Sequence, residues 1–99
     1  MKIIFGTPGS GKTKALLKLS EEKRIPVLCE SSARVTRLLE KADGYGFRIP
    51  TPITVEDLNE NVKAVYIDDI QIMLETMLKV KLEGIVVNKD DAYSEENVD

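Results

Sequence analysis

Gly6-Thr7-Pro8-Gly9-Ser10-Gly11-Lys12-Thr13 is the stretch of this sequence best equipped for chemistry. It satisfies the pattern Gly-x-x-x-x-Gly-Lys-Thr in full. Glycine tolerates backbone angles that a Cβ forbids, and it lets the chain come close to a bulky anion. Successive inward-pointing amides, at the positive N-terminal end of a helix, make a cradle for phosphate. Lys12 adds a cation suited to the β- and γ-phosphates of a nucleoside triphosphate, and Thr13 adds a hydroxyl suited to Mg²⁺. The pattern fixes only four positions, so a chance glycine-rich turn would also satisfy it. The setting argues for the phosphate reading, because the apolar run Lys2–Phe5 precedes the loop and an amphipathic stretch follows it.

A second acidic site lies about 55 residues further on, where Val65-Tyr66-Ile67 leads into Asp68-Asp69. An aspartate at the end of an apolar strand beside a phosphate loop can hold Mg²⁺, here Asp68, and the next residue can polarise an attacking water, here Asp69. The competing reading is that the paired aspartates cap the next helix, whose dipole favours negative charge at its start. The spacing from the glycine-rich loop favours the metal role.

The elements needed to position these groups can be read from periodicity. Strands are expected at Lys2–Phe5, Val27–Glu30, Val62–Ile67 and Ile85–Val87. Helices are expected from Lys12 to about Glu22 with Ala15, Leu16 and Leu19 on one face, and after the N-cap serines Ser31 and Ser32 with Val35, Leu38, Leu39 and Ala42 inward. A third runs from Ile70 to Leu82 with Ile70, Met73, Leu74, Met77 and Leu78 buried. Gly44 marks the expected stop of the second helix, and Thr54 with Asp57 suggests a capping box for a short helix over 54–61. Residues 44–52 read as an exposed loop and 89–99 as a loose acidic tail, leaving 1–88 as the core. Strands alternating with helices imply an α/β fold with a small parallel sheet of about four strands between helical layers. The unalternating apolar runs fit strands buried on both faces.

Tyr66-Ile67-Asp68-Asp69-Ile70-Gln71 resembles the Walker B segment of bacterial replication initiators and helicase loaders, which are AAA+ ATPases. With the loop at Gly6–Thr13, the resemblance covers residues 1–88 and implies a minimal P-loop NTPase core of the ASCE type. It implies the strand order second-third-fourth-first, with second-third-first-fourth as the fallback, ATP and Mg²⁺ as ligands, and a link to DNA replication or processing. Asn88 matches the position of the sensor-1 polar residue, which contacts the γ-phosphate or the lytic water; the plain alternative is a turn residue after a strand. Residues 1–99 show no match to the helical lid, the adenine-holding flank or the arginine finger of that family, so none of these is expected to act here. Weak hydrolysis, or a nucleotide-binding regulatory or docking module, is therefore the expectation.

Other readings use the same residues. Glu30, at the end of the second strand, matches the place of the catalytic glutamate in RecA-like ATPases, against a solvated residue near a helix start. Asn88-Lys89-Asp90-Asp91 fits the guanine-reading Asn-Lys-x-Asp of GTPases, which keeps GTP open beside ATP, although no Asp-x-x-Gly follows the third strand. A small nucleotide or nucleoside kinase would need its substrate pocket in the 44–52 loop.

Composition bounds these choices. Ninety-nine residues make one domain, and a net charge of −3 gives no broad basic surface for nucleic acid. Arg34, Arg37, Lys41 and Arg48 could form a local basic patch, but a solvated helix face explains them equally well. One cysteine and no histidine exclude an internal disulfide and argue against a Cys/His zinc site, leaving Cys29 as an expected buried strand residue. No apolar run approaches the ~20 residues of a membrane span, and no signal-peptide core precedes the first strand, so a cytoplasmic location is expected. Ile72 and Val80, off the main stripe of the third helix, suggest that the 70–82 helix or an open sheet edge meets a protein partner or a second copy.

Overall fold

Ile3 and Ile4, β-branched and half-buried, sit in the first strand, β1 (Lys2–Phe5), in a computed structural model that describes all residues from Met1 to Asp99. Helix α1 (Lys12–Lys23) follows the glycine-rich loop and ends at Arg24, whose left-handed backbone breaks it. Buried Ser20 donates from its hydroxyl to the Ile25 carbonyl at 2.6 Å, fixing the turn into β2 (Val27–Cys29). Helix α2 (Ser32–Tyr45) is capped by the Ser31 hydroxyl, which accepts from Arg34 N at 3.2 Å. It ends at Tyr45, one residue beyond the expected stop. Gly46, at φ 77°, donates to Asp43 O, and Phe47 N donates to Ala42 O at 2.8 Å, which together form a Schellman cap.

The short strand β3 (Ile53–Thr54) and a single 3₁₀ turn (Val55–Asp57) occupy the first half of the stretch expected to be a helix. The capping box does form there, with Asp57 accepting from Thr54 N at 2.9 Å, but the backbone turns out of helix at Leu58. Strand β4 (Tyr66–Ile67) then delivers Asp68, and α3 (Ile70–Leu78) begins directly after Asp69.

The sheet architecture corrects the expected four-stranded sheet. Three short strands form one parallel sheet in the order β3-β2-β4, with Leu28 opposite Ile53 and Val27 opposite Tyr66. The expected neighbourhood of the second and third strands is therefore observed. The first strand lies elsewhere, paired in parallel with β5 (Ser94–Asn97) in a separate two-stranded sheet, Lys2 opposite Ser94 and Phe5 opposite Asn97. The segment expected to be loose is thus a strand, held also by the Lys2–Glu96 ion pair at 3.0 Å. The expected fourth strand is absent. Lys79 closes α3 in a left-handed conformation, and Leu82 N donates to Glu75 at 2.8 Å, so the chain doubles back on its own helix. Val86 is left 94% exposed, with no strand to bury it.

Packing centres on α1, β2 and α2. Leu16, Leu17, Val27, Cys29, Leu38 and Ala42 form the core, with Ile4, Val35, Phe47, Ile49 and Tyr66 packed around it. Leu17 and Ser20, not Ala15 and Leu19, are the most buried positions of α1. On α3 only Met73 is buried, while Ile70, Ile72, Met77 and Leu78 of the expected stripe and its flank are exposed. No helix is long and apolar enough to cross a membrane.

Two core residues yield measurable outcomes. Leu38→Ala should lower the unfolding free energy by about 2–5 kcal/mol in urea titrations, because a fully buried leucine leaves a cavity that cannot collapse completely. Burial, with a smaller contribution from the Glu30 charge, pushes the Cys29 thiol up to about 11. Between the ordinary thiol value and that one, the unfolded chain has released this proton and the folded chain has kept it. Stability should therefore fall as pH rises across roughly 9 to 11, by on the order of 2 kcal/mol. The part of this decline due to the thiol should vanish in Cys29→Ala, whatever that variant's stability at neutral pH.

Candidate functional site

The glycine-rich loop is shaped by two left-handed glycines, Gly9 at φ 80° and Gly11 at φ 100°, which a side chain would strain. Ser10 N donates to Thr7 O at 3.1 Å and Ala15 N to Gly11 O at 3.0 Å, so the loop passes directly into the first turn of α1. Gly6 has a different reason to be glycine. A Cβ there would lie 2.5 Å from Ser10 Oγ and 3.0 Å from Val98. Thr7, Pro8 and Gly9 are exposed, and Lys12 and Thr13 are half-buried at the head of the helix.

Thr13 and Asp68 meet, although 55 positions separate them. The Thr13 hydroxyl donates to the Asp68 carboxylate at 3.1 and 3.3 Å in a partly buried contact. α1 sets one partner and the β4–β2 pairing sets the other. The metal pair inferred from the sequence is therefore adjacent in space. Two oxygens about 3 Å apart match neighbouring corners of an octahedron with bonds of ~2.1 Å, the geometry Mg²⁺ requires. No group of three or more acidic or cysteine ligands exists to hold a metal unaided. A cation at this pair would take its remaining ligands from phosphate and water, as Mg²⁺ commonly does.

Lys12 Nζ donates to Thr7 O at 2.6 Å, folding across the mouth of the loop. Ser10 Oγ is buried and has no hydrogen-bond partner within the chain. The nearest anionic group to that hydroxyl is the Asp99 carboxylate, which lies beside it at Gly6.

The other expected site residues are placed differently. Asp69 has a left-handed backbone at φ 66°, and its carboxylate accepts from Ile72 N at 3.1 Å, which makes it the N-cap of α3. Glu30 accepts from Arg34 at 3.1 Å in a largely buried ion pair one helical turn long. Asn88 lies exposed in the irregular segment 79–92, because the strand meant to carry it does not form.

One residue at the site was missed by sequence reasoning. Asp99 accepts from Thr7 N at 2.9 and 3.0 Å and from the Thr7 hydroxyl at 2.8 Å. The Thr7 amide, then the Thr7 hydroxyl and, more weakly, the nearby Ser10 hydroxyl and the Lys12 charge, hold its carboxyl below the usual range. Its only sequence signal is membership of an acidic segment, which does not point to a loop 92 positions away.

The capping role of Asp69 can be separated from any chemical one. Asp69→Ala should cost about 1–2 kcal/mol of stability by loss of the cap and added backbone strain, while Asp69→Asn, which keeps the acceptor and tolerates the left-handed region, should cost under about 0.5. Urea denaturation of the two variants measures this.

In comparisons with known proteins, no family model matches the chain, and no curated protein or solved structure matches it either.

Proposed function

We propose that this chain binds a nucleoside triphosphate with Mg²⁺ at the Gly6–Thr13 loop and hydrolyses it slowly, with ATP as the leading ligand and GTP as the alternative. The observation that carries the reading is the contact of Thr13 with Asp68 at 3.1 Å, directly beside a loop with two left-handed glycines. A glycine-rich turn arising by chance has no reason to meet the aspartate that the spacing singled out.

In this reading Lys12 turns from Thr7 O to the β- and γ-phosphates, where its charge offsets the charge that builds on the transferred phosphoryl group. Thr13 and Asp68 hold Mg²⁺, which when bound neutralises phosphate charge. Loop amides and the Ser10 hydroxyl orient the phosphates. The nucleophile is water, and its proton needs a carboxylate acceptor. Asp69 and Glu30 are the candidates, but the first caps α3 and the second is paired with Arg34. Neither carboxylate is free, so slow turnover is expected.

That same engagement favours a second reading, a nucleotide-binding docking module with little catalysis. Apolar residues left exposed on α3, among them Ile72 and Met77, suit it.

Binding should be measured by calorimetry with ATP and GTP, and turnover by phosphate release with and without single-stranded DNA. Lys12→Ala should weaken triphosphate binding by about tenfold or more, because a charge-assisted phosphate contact is lost. Thr13→Val and Asp68→Asn should each abolish the gain in affinity that Mg²⁺ gives. Turnover that disappears in Lys12→Ala supports an ATPase. Binding without turnover supports the module. If no triphosphate binds in Mg²⁺ buffer, even when the Asp99 contact is removed, the proposal fails.

A further inference from the structure

The glycine-rich loop already holds an anion, and that anion belongs to the chain. Both oxygens of the Asp99 carboxylate accept from Thr7 N, and one also accepts from the Thr7 hydroxyl. These carboxylate oxygens stand where phosphate-type oxygens would be drawn by the same donors. Their delivery is structural. β5 runs parallel to β1 over four residue pairs, Ser94 N donates to Met1 O, and Val98 N donates to Phe5 O immediately before the loop. Val98 and Asp99 then come so close to Gly6 that a Cβ there would lie 3.0 and 3.2 Å from them. Lys12 Nζ, meanwhile, is engaged by Thr7 O across the mouth of the loop.

We propose that β5 with Asp99 is an autoinhibitory strap, which occupies the anion-binding mouth of the loop and must be displaced before a triphosphate binds. This rests on the reading of the loop as a triphosphate site and adds its regulation. Two negative groups cannot share the Thr7 donors, so strap and nucleotide compete. The strap is built to leave. β5 carries Ser94, Glu95, Glu96 and Asn97, none of them apolar, and between it and Asp99 only Val98, half-buried beside Gly6, gives the strap an apolar hold. Its ion pairs, Lys2–Glu96 and Lys89–Glu95, are solvent-exposed and screened by salt. Its backbone ladder, together with the Asp99 carboxylate, therefore supplies most of the hold.

The test uses the full chain with ATP and Mg²⁺. Asp99→Ala keeps the β5 backbone and removes only the competing carboxylate. It should bind ATP about tenfold more tightly than the unmodified chain, as expected when a competing closed state is depopulated. Detectable binding by Asp99→Ala alone would give the same support more strongly. Equal or weaker binding by Asp99→Ala, with Lys12-dependent binding retained in the unmodified chain, overturns the strap and leaves the nucleotide reading standing. Binding by neither form overturns both. Hydrogen exchange on the unmodified chain gives a readout that needs no variant. ATP should remove the protection of the Ser94 and Val98 amides, and unchanged protection at saturating ATP would also overturn the strap.

Discussion

The glycine-rich loop, Glu30 and Asp68 are positioned by one small apolar contact region, where α1 and α2 close over β2 through Leu17, Val27, Cys29, Leu38 and Ala42. The glycine-rich loop is the lead-in to α1, so it takes its place from Leu16 and Leu17. Glu30 continues β2, and Arg34 reaches it from the first turn of α2. Asp68 follows a strand whose register is set by β2. Dry packing of a few side chains thus determines where the polar groups stand, and it does so more firmly than their own exposed hydrogen bonds could.

Two sheets share this core without sharing a hydrogen-bond ladder. α1 lies against β1 and α2, and the Thr13–Asp68 contact joins the loop to the end of β4. The site therefore lies at the junction of the two sheets. β4 is only two residues long, and a slip of one residue would turn Asp68 to the opposite face. The Val27–Tyr66 pairing, extended by Tyr66 N donating to Pro26 O, sets the position of Asp68.

What the sequence made legible follows the strength of its local signals. The glycine-rich loop, the three helices, the buried Cys29 and the neighbourhood of Thr13 and Asp68 rest on strong periodicity or on residue types with one dominant use. The Ile85–Val87 run misled because three apolar residues make a strand only if a partner strand is in reach, and the turn after α3 takes this segment elsewhere. β5 was missed for the opposite reason. Ser94-Glu95-Glu96-Asn97 has no apolar alternation, and its pairing draws on the open edge of β1, a long-range fact that local pattern does not carry. For Asp69 the spacing favoured water activation over capping, and its hydrogen bond to Ile72 N displays the capping role. Gly46 took over from Gly44 because α2 runs on until a left-handed residue can close it, with Phe47 returning to the core.

The pairing of β1 with β5 joins two strands some ninety residues apart in the sequence. Closing a loop of that length costs about 1 kcal/mol more chain entropy than closing the loop of roughly 25 residues that brings β3 to β2. The β2-centred sheet and its two helices can therefore assemble while β1 still has a bare edge. For that interval the nascent chain carries an unpaired strand that could add to a neighbouring chain's edge, with Lys2 as its only charged guard. Arrival of β5 covers that edge, so the strand that carries Asp99 to the loop also shields β1 from a neighbouring chain.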